Sequence, residues 1–334
     1  MRRDKYRKNT ITNLFHSRHM KNRNSKQERK NTFVKFLWLI TKFLKLGLTG
    51  WLRFFWWEIS KRFRSSALTI STKQGVFTIL PTDEVISRSL YCRREYELDF
   101  TSRAMAFLRS IRKCPPKGEG TIVDVGANNG VISIGMIYTG ELEKAIAIEP
   151  EPGNFSLLEQ NVNQNGFKDR FICLPYAASH RKGEVLVELS PNNFGDHRVR
   201  VDSDPSNSPD LYKESERHVI IVQSDQLDKL LADVPEKFTR DIAVTWVDVQ
   251  GYEGYVFMGA KELLSKGIPV ITEIWPYAIR KAGMTQEQYC LIAKSIWKNY
   301  WVMQNGEFVQ YPIDSLEALF GKIGYNEDFN IIYA

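Results

Sequence analysis

Three apolar stretches of the chain each end on an acidic residue, and small or polar residues follow them. Asp124 ends the run TIVD, Glu149 ends KAIAIE, and Asp248 ends IAVTWVD. A charge at the end of a buried strand costs free energy unless it is paired or used. Because ligands bind beyond the carboxyl ends of the strands in an open α/β sheet, the three acids predict a polar ligand site there.

The loop after the first of these strands, GANNG at residues 126–130, is rich in glycine and asparagine. Gly126 allows unusual backbone angles and lets a ligand lie against the main chain. We expect the next helix to begin near Asn129 and to direct free N–H groups towards the same point. The spacing of Gly126 and Gly130 does not fit the dinucleotide motif G-x-G-x-x-G, and the lysine of a P-loop is missing.

Glu149 follows Gly126 by 23 residues and ends the next predicted strand. In dinucleotide-binding folds an acid in that place accepts hydrogen bonds from ribose hydroxyls. A nucleoside without a diphosphate therefore fits best, and S-adenosylmethionine is the cofactor that we expect. The alternative is a tight turn that caps a helix and binds nothing.

Two further segments carry side chains that could act as a base or bind a second ligand. The loop NNFGDHRV contains His197, and histidine is the side chain most readily neutral and basic near neutral pH. We expect His197 to act as a base or an acceptor-binding group, oriented by Asp196 or Asp248, with Arg198 as a substrate contact. Glu273, in TEIWP, is a second candidate base. A solvated turn and a paired structural carboxylate are the alternatives, and no segment has the spacing of metal ligands.

The order of the predicted elements is that of an α/β fold with a parallel sheet covered by helices. Strand and helix patterns alternate from TIVDVG onwards, and YWVMQ and DFNIIYA form a closing pair. Residues 180–222 interrupt the alternation, and GEVLVELS and HVIIVQS predict an inserted β-hairpin there. ALTISTKQGVFTIL predicts a small hairpin at the start of the main domain, which we place at residues 65–334.

The N-terminal 64 residues differ in charge from the rest of the chain. Residues 1–32 hold eleven Lys or Arg against Asp4 and Glu28, and residues 33–64 hold seven against Glu58, which gives net charges of +9 and +6. Because the whole chain carries +7, the remaining 270 residues carry −8. We expect residues 1–32 to be a disordered basic tail, since they have too little apolar surface to become ordered.

Residues 33–63 form a basic amphipathic pattern. At 100° per residue Lys35, Lys42, Lys45 and Arg53 fall on one stripe, opposite a wide apolar face. We expect a helix in the headgroup plane of an anionic membrane, and hence a cytoplasmic protein attached peripherally to a membrane. A helix packed on protein, a transmembrane span and a mitochondrial presequence in the tail are the alternatives. The four scattered cysteines suit a reducing compartment.

Several motifs together resemble the FkbM family of S-adenosylmethionine-dependent methyltransferases. They are, in order, VDVGANNGVISI, AIAIEPEPGNFSLLEQNVNQNGF, FICLPYAAS, VDVQGYEGYVFMGAKELL and PVITEIWP, and the resemblance covers about residues 85–300. It implies a class I, Rossmann-like fold with a seven-stranded, mostly parallel sheet whose last strand is antiparallel. It also implies methylation of a hydroxyl group on a sugar, a glycolipid or a polyketide-like product.

The resemblance also implies residue roles. The expected cofactor contacts are Asp124, Gly126, Ala127, Asn128 and Gly130 around the methionine portion, Glu149 and Pro150 at the ribose, and Tyr176 and Ala177 near the adenine. Asp248 would face the amino end of the cofactor and the substrate. Family members commonly carry a glutamate two residues later, where this chain has Gln250, so we expect a substrate contact there and leave open a role as base.

Two other functions are compatible with these patterns. The basic tail could hold RNA or a protein for methylation, although the body of the chain lacks basic, aromatic-rich segments, which argues against a nucleic-acid partner. Alternatively, a membrane-bound scaffold could keep a nucleoside pocket without catalysis. The acceptor that we favour is a small molecule or a glycan.

Overall fold

The computed structural model describes residues 47–59, 61, 66–201, 210–322, 324 and 327–334. The predicted basic tail and residues 33–46 of the predicted amphipathic helix lie outside these residues. The described residues divide into two units, with the boundary between Glu58 and Ile59.

Residues 47–59 form a helix, α1, with an apolar face that solvent reaches. Leu48, Leu52, Phe55 and Trp56 are exposed over 45–62 % of their surface. Their spacing places all four on one side of the helix, because residues four and seven apart lie on the same face. Among the described residues, no helix is long and apolar enough to cross a membrane.

The described residues contain strands and helices in regular alternation over much of the chain. The strands are β1 (Leu68–Thr72), β2 (Gly75–Ile79), β3 (Thr121–Val125), β4 (Lys144–Ile148), β5 (Phe171–Leu174), β6 (Ala177–Ser179), β7 (Gly183–Leu189), β8 (Arg198–Arg200), β9 (His218–Gln226), β10 (Ile242–Val247), β11 (Val270–Ile274), β12 (Asn299–Gln304), β13 (Glu307–Pro312) and β14 (Phe329–Tyr333). The helices after α1 are α2 (Ile86–Arg93), α3 (Leu98–Ser110), α4 (Val131–Tyr138), α5 (Pro152–Gln164), α6 (Leu227–Ala232), α7 (Glu236–Thr239), α8 (Glu253–Met258), α9 (Lys261–Ser265), α10 (Pro276–Lys281), α11 (Gln286–Ile296) and α12 (Leu316–Lys322).

The central sheet has eight strands in the order β13-β12-β14-β11-β10-β3-β4-β5. β11, β10, β3, β4 and β5 run parallel, and β14, β12 and β13 are added in antiparallel pairs. The predicted α/β class is confirmed. The predicted count of seven strands is wrong, because β13 pairs with β12 and extends the edge of the sheet.

The segment that interrupts the alternation forms a second sheet of four strands, in the order β6-β9-β7-β8. β7 and β9 pair antiparallel, as expected for the predicted hairpin. β6 and β8 extend that hairpin by pairing with β9 and β7. The predicted hairpin is therefore present, but sequence analysis missed the two strands that extend it, because strands of three residues are too short to show an alternating pattern.

The strand order reverses at β3. β4 and β5 follow β3 on one side, whereas β10 and β11 lie on the other side. β3 is buried at every position, as expected for a strand that is covered on both faces. Ligands in open α/β folds bind in the crevice at such a reversal, beyond the carboxyl ends of the strands. Gly126, Glu149 and Asp248 directly follow β3, β4 and β10, so the topology gathers them at this crevice.

Candidate active site

A cavity of about 310 Å³ lies at this crevice. Seven of the predicted cofactor residues line it: Gly126, Ala127, Asn128, Glu149, Pro150, Tyr176 and Ala177. The predicted catalytic and substrate residues in its wall are His197, Arg198, Asp248, Gln250 and Glu273. Asp124, Gly130 and Asp196 are absent from the wall, contrary to the expectation for them.

The turn after β3 is closed by the backbone alone. The N–H groups of Gly126 and Ala127 both donate to the carbonyl of Ile148, at 3.0 Å each. Gly126 has φ +85°, and a Cβ there would lie 2.0 Å from the carbonyl oxygen of Asp248. Only glycine fits at this position, because the turn brings β3 and the end of β10 into direct backbone contact.

Asp124 caps helix α4 from below the turn and does not face the cavity. It is 1 % exposed, and one of its carboxylate oxygens accepts the Ser133 N–H at 3.3 Å. Burial raises the pKa of Asp124 to about 7. The Asn129 side chain accepts the Val131 N–H in the same way, at 3.2 Å. The expectation of free N–H groups at this helix start is wrong for these residues, because local side chains satisfy them.

Gly130 is also placed behind the turn. It has φ +83°, and a Cβ there would lie 2.7 Å from the side chains of Ile134 and Leu158. Its role is therefore to start helix α4 against the core, where a larger residue would clash.

Glu149 presents its carboxylate to the cavity with two acceptor sites already used. Its Oε2 accepts the Asn128 N–H at 2.8 Å and its Oε1 accepts the Glu151 N–H at 2.9 Å. Burial raises the pKa of Glu149 to about 7, although both hydrogen bonds act to lower it. A carboxylate has about four lone-pair sites, so two remain for a ligand with adjacent hydroxyl groups. This geometry fits a ribose.

The loop that carries His197 is tied to the turn after β3. The carbonyl of Phe194 accepts the side-chain amide of Asn128 at 2.7 Å and that of Asn154 at 3.2 Å. Asn128 holds φ +52°, which is unusual for a residue other than glycine. The loop between β7 and β8 of the second sheet thereby supplies part of the cavity wall beside the turn after β3.

His197 is placed to donate a hydrogen bond rather than to accept a proton. Its Nδ1 accepts the Ser190 N–H at 3.0 Å, so a neutral ring carries its proton on Nε2. Burial lowers the pKa of His197, which keeps the ring neutral near pH 7. The expectation that His197 is the general base does not fit this geometry, whereas an acceptor-binding role does.

Arg198 and Asp196 belong to a buried ionic network. Arg198 donates to Asp196 and to Glu214, and its guanidinium lies 4.3 Å from the ring centre of Trp275. Asp196 also accepts a hydrogen bond from Arg217 at 2.6 Å. Asp196 is thus fully used in holding two arginines, which explains why it does not reach the cavity. Arg198 does line the cavity, and its Nη2 has no partner among the described residues.

Gln250 joins the two predicted acids on the far side of the cavity. Its side-chain amide donates to Asp248 at 2.6 Å and to Glu273 at 3.0 Å. Gln250 holds φ +54°, and Glu253 fixes its turn by accepting the N–H groups of Val249 and Gly251, both at 3.1 Å. The glutamine is therefore a neutral bridge, and it brings two carboxyl groups together where a third acid would add repulsion.

Residues 124–287 match the methyltransferase FkbM domain. This region is a methyltransferase FkbM domain. No curated protein matches the chain.

Three solved structures resemble the chain at low identity. A methyltransferase FkbM from Methylobacillus flagellatus has a TM-score of 0.39 at 14 % identity, over 75 % of this chain and 55 % of that chain, so the match spans about half of its length. A precorrin-6y C5,15-methyltransferase from Geobacter metallireducens has a TM-score of 0.33 at 10 % identity, over 69 % of this chain and 86 % of that chain. A Streptococcus pneumoniae protein named as a candidate tRNA (m1A22) methyltransferase has a TM-score of 0.33 at 12 % identity, over 69 % of each chain. Similarity at these TM-scores carries no information about the substrate of this chain.

Residues on both sides of the FkbM domain complete its cavity. Tyr96 and Glu97 directly precede α3, and Asp328 precedes β14. Sequence analysis missed them because no local motif marks them and only the fold brings them to the site. Among the described residues, no group of three His, Cys, Asp or Glu side chains has the arrangement of a metal site.

Proposed function

We propose that the chain is an S-adenosylmethionine-dependent methyltransferase that methylates a hydroxyl group of a carbohydrate, a glycolipid or a related small molecule. The observation that carries this proposal is one cavity with two polar sides. Glu149 offers ribose-binding lone pairs on the β4 side, and the bridged pair of Asp248 and Glu273 lies on the β10 side. The FkbM domain includes all of these residues.

The residues present fit the cofactor. Glu149 would hold the ribose, the turn from Gly126 to Asn128 would lie along the methionine portion, and Tyr176 and Ala177 would flank the adenine. S-adenosylmethionine would supply a methyl group on a sulfonium: the C–S bond would break with the electron pair kept by sulfur, a C–O bond would form to the acceptor, and the acceptor proton would leave to a base.

The protein's own contribution is to position the acceptor and to receive that proton. Asp248 and Glu273 are carboxyl groups on the side of the cavity opposite Glu149, and a base there can accept a proton as the hydroxyl reacts. His197 would donate a hydrogen bond from Nε2 to an oxygen of the acceptor. The carboxylate pair thus replaces His197 as the expected base.

Two measurements test the proposal: the binding of S-adenosylmethionine and the transfer of its methyl group to an acceptor. Calorimetry of the full chain with S-adenosylmethionine should show one site with a Kd in the micromolar range, about −7 to −8 kcal/mol. Incubation with methyl-tritiated cofactor and separate glycan, glycolipid and RNA extracts should label the glycan or glycolipid fraction. Label in RNA alone would contradict the acceptor class, and the absence of cofactor binding would contradict the function itself.

We further propose that the N-terminal part attaches the enzyme peripherally to the cytoplasmic face of an anionic membrane. The support is the exposed apolar face of α1 together with the net charges of +9 and +6 on residues 1–32 and 33–64. Such a helix binds in the headgroup plane by its apolar area and by its charge. The four cysteines are free thiols, which suits a reducing compartment.

If α1 attaches the protein to a membrane, placing charges on its exposed apolar face should reduce the fraction of protein that floats with vesicles. The double variant Leu52→Glu, Trp56→Glu should reduce co-flotation with vesicles that contain phosphatidylserine by about tenfold or more, because it places two charges on the inserted face. Leu291→Glu is the matched control, since Leu291 is an exposed leucine on α11 with 65 % of its surface accessible. Equal flotation of the double variant and the unaltered chain would rule out α1 as the anchor.

A further inference from the structure

Four carboxyl groups from four separate segments meet on one side of the cavity. Glu97 lies at the start of α3, Asp248 follows β10, Glu273 is in β11 and Asp328 precedes β14. Two of these segments, those of Glu97 and Asp328, lie outside the FkbM domain at residues 124–287. The charge on this side of the cavity therefore depends on segments from the whole fold. What that charge does in the reaction rests on the proposed function.

Two of the four groups are held together by one side-chain amide. The same nitrogen of Gln250 donates to Asp248 at 2.6 Å and to Glu273 at 3.0 Å. Glu97 and Asp328 line the same cavity. Carboxyl groups this close to one another disfavour full ionisation, because like charges repel. The arrangement therefore favours at least one proton shared within the cluster.

The charged surroundings of the cluster are mostly acidic. Desolvation and then Asp248 and Asp328 raise the pKa of Glu97 to about 7, and desolvation raises that of Asp248 to about 6. Desolvation, Asp248, Asp328 and also Glu253 raise the pKa of Glu273. Glu97 and Asp248 therefore change charge near neutral pH when a nearby charge is added or removed.

The other titratable groups at this side do not neutralise the cluster. Asp196 adds a negative field at Asp248, and Tyr96, which lines the cavity, stays uncharged because burial and Glu97 raise its pKa. Arg198 contributes a cation to the cavity wall, but its charge is matched by Asp196 and Glu214. His197 is kept neutral by burial, which lowers its pKa. An added cation is thus the simplest way to balance the cluster.

A separate observation indicates a polar ligand at the same place. Trp275, two residues after Glu273, lines the cavity and is 8 % exposed. Its indole N–H is buried and has no hydrogen-bond partner among the described residues. A buried donor is nearly always paired in a protein interior, so an unpaired one on a residue of the cavity wall favours a polar ligand at this side.

We propose that this carboxyl cluster exchanges one proton for the sulfonium charge of the cofactor, releasing the proton when S-adenosylmethionine binds and taking up the acceptor's proton when the methyl group is transferred. The charge of the site then stays constant through the reaction. Before transfer the cluster faces a positive sulfur, and after transfer it faces a neutral thioether and holds the proton that left the acceptor hydroxyl. Glu97 and Asp328 are catalytic partners of Asp248 and Glu273 in this scheme.

The proton count is measured by calorimetry in two buffers of different ionisation enthalpy at pH 7. S-adenosylmethionine should release about half a proton or more on binding, and S-adenosylhomocysteine close to none. The two ligands share every other charged group, so the difference reports the sulfonium alone. Glu97→Gln and Asp328→Asn should each weaken S-adenosylmethionine about three- to tenfold, and S-adenosylhomocysteine less than about twofold.

Glu95→Gln is the matched control, because Glu95 lies two residues before Glu97 and pairs with Lys73 at the surface. It should leave both affinities and the proton count unchanged. Retained binding of S-adenosylhomocysteine shows that a variant is folded. Equal proton release with the two ligands would overturn the exchange while leaving the proposed function intact, whereas the absence of binding by either ligand would overturn both.

Discussion

Replacing Glu149 with alanine should weaken S-adenosylmethionine binding by about 100-fold or more, because a hydrogen bond to a charged group contributes about 1.5–3 kcal/mol and the ribose would lose two. The substitution also releases the N–H groups of Asn128 and Glu151, which shape the turn on either side. Both groups lie in the cavity wall, where water can replace the carboxylate, so we expect the fold to persist.

The matched control for Glu149→Ala is Glu143→Ala. Glu143 precedes β4 at its amino end and is exposed, so the same change is made at the opposite end of the same strand. Titration calorimetry of both variants with S-adenosylmethionine provides the measurement. If Glu149→Ala binds as tightly as Glu143→Ala, the ribose assignment fails and the cofactor must lie elsewhere.

The sequence predicted the position of the two acids that directly follow strands, but it did not predict the position of the acid that lies inside a strand. Glu149 and Asp248 come immediately after β4 and β10, so their side chains emerge at the crevice. Asp124 is the fourth of five residues in β3, where side chains point alternately to the two faces of the sheet. It is therefore directed towards α4 and caps that helix. An apolar run that ends in an acid does not by itself show which of these two cases applies.

The other half of the site could not be predicted, because long-range contacts build it. Glu97 and Asp328 are 231 positions apart in the sequence and meet only through the fold. The role of His197 depended on one backbone hydrogen bond from Ser190, which fixes the position of the ring proton. The eighth strand depended on pairing between β12 and β13, which have no strong alternation of buried and exposed residues.

The variant Gly126→Ala should lower the stability of the fold and also disturb the side of the cavity that carries Asp248, because the turn after β3 contacts the end of β10. A Cβ at Gly126 would lie 2.0 Å from the carbonyl oxygen of Asp248, which is backbone and cannot rotate away. The variant should lower the free energy of unfolding by about 3 kcal/mol or more, combining left-handed backbone strain with overpacking. Any relief must shift the turn at Gly126 or the backbone of Asp248, and both line the cavity, so S-adenosylmethionine binding should also weaken.

The control for Gly126→Ala separates the clash from the backbone conformation. Gly140 has a similar φ of +70°, but a Cβ there would meet no atom within 4 Å. Gly140→Ala should therefore cost only about 1–2 kcal/mol, the strain of a left-handed residue. Chemical denaturation of both variants gives the comparison. Equal losses of unfolding free energy would mean that the contact between β3 and the end of β10 is not tight. The backbone of the crevice would then not be rigid enough to fix the cofactor relative to the carboxyl groups.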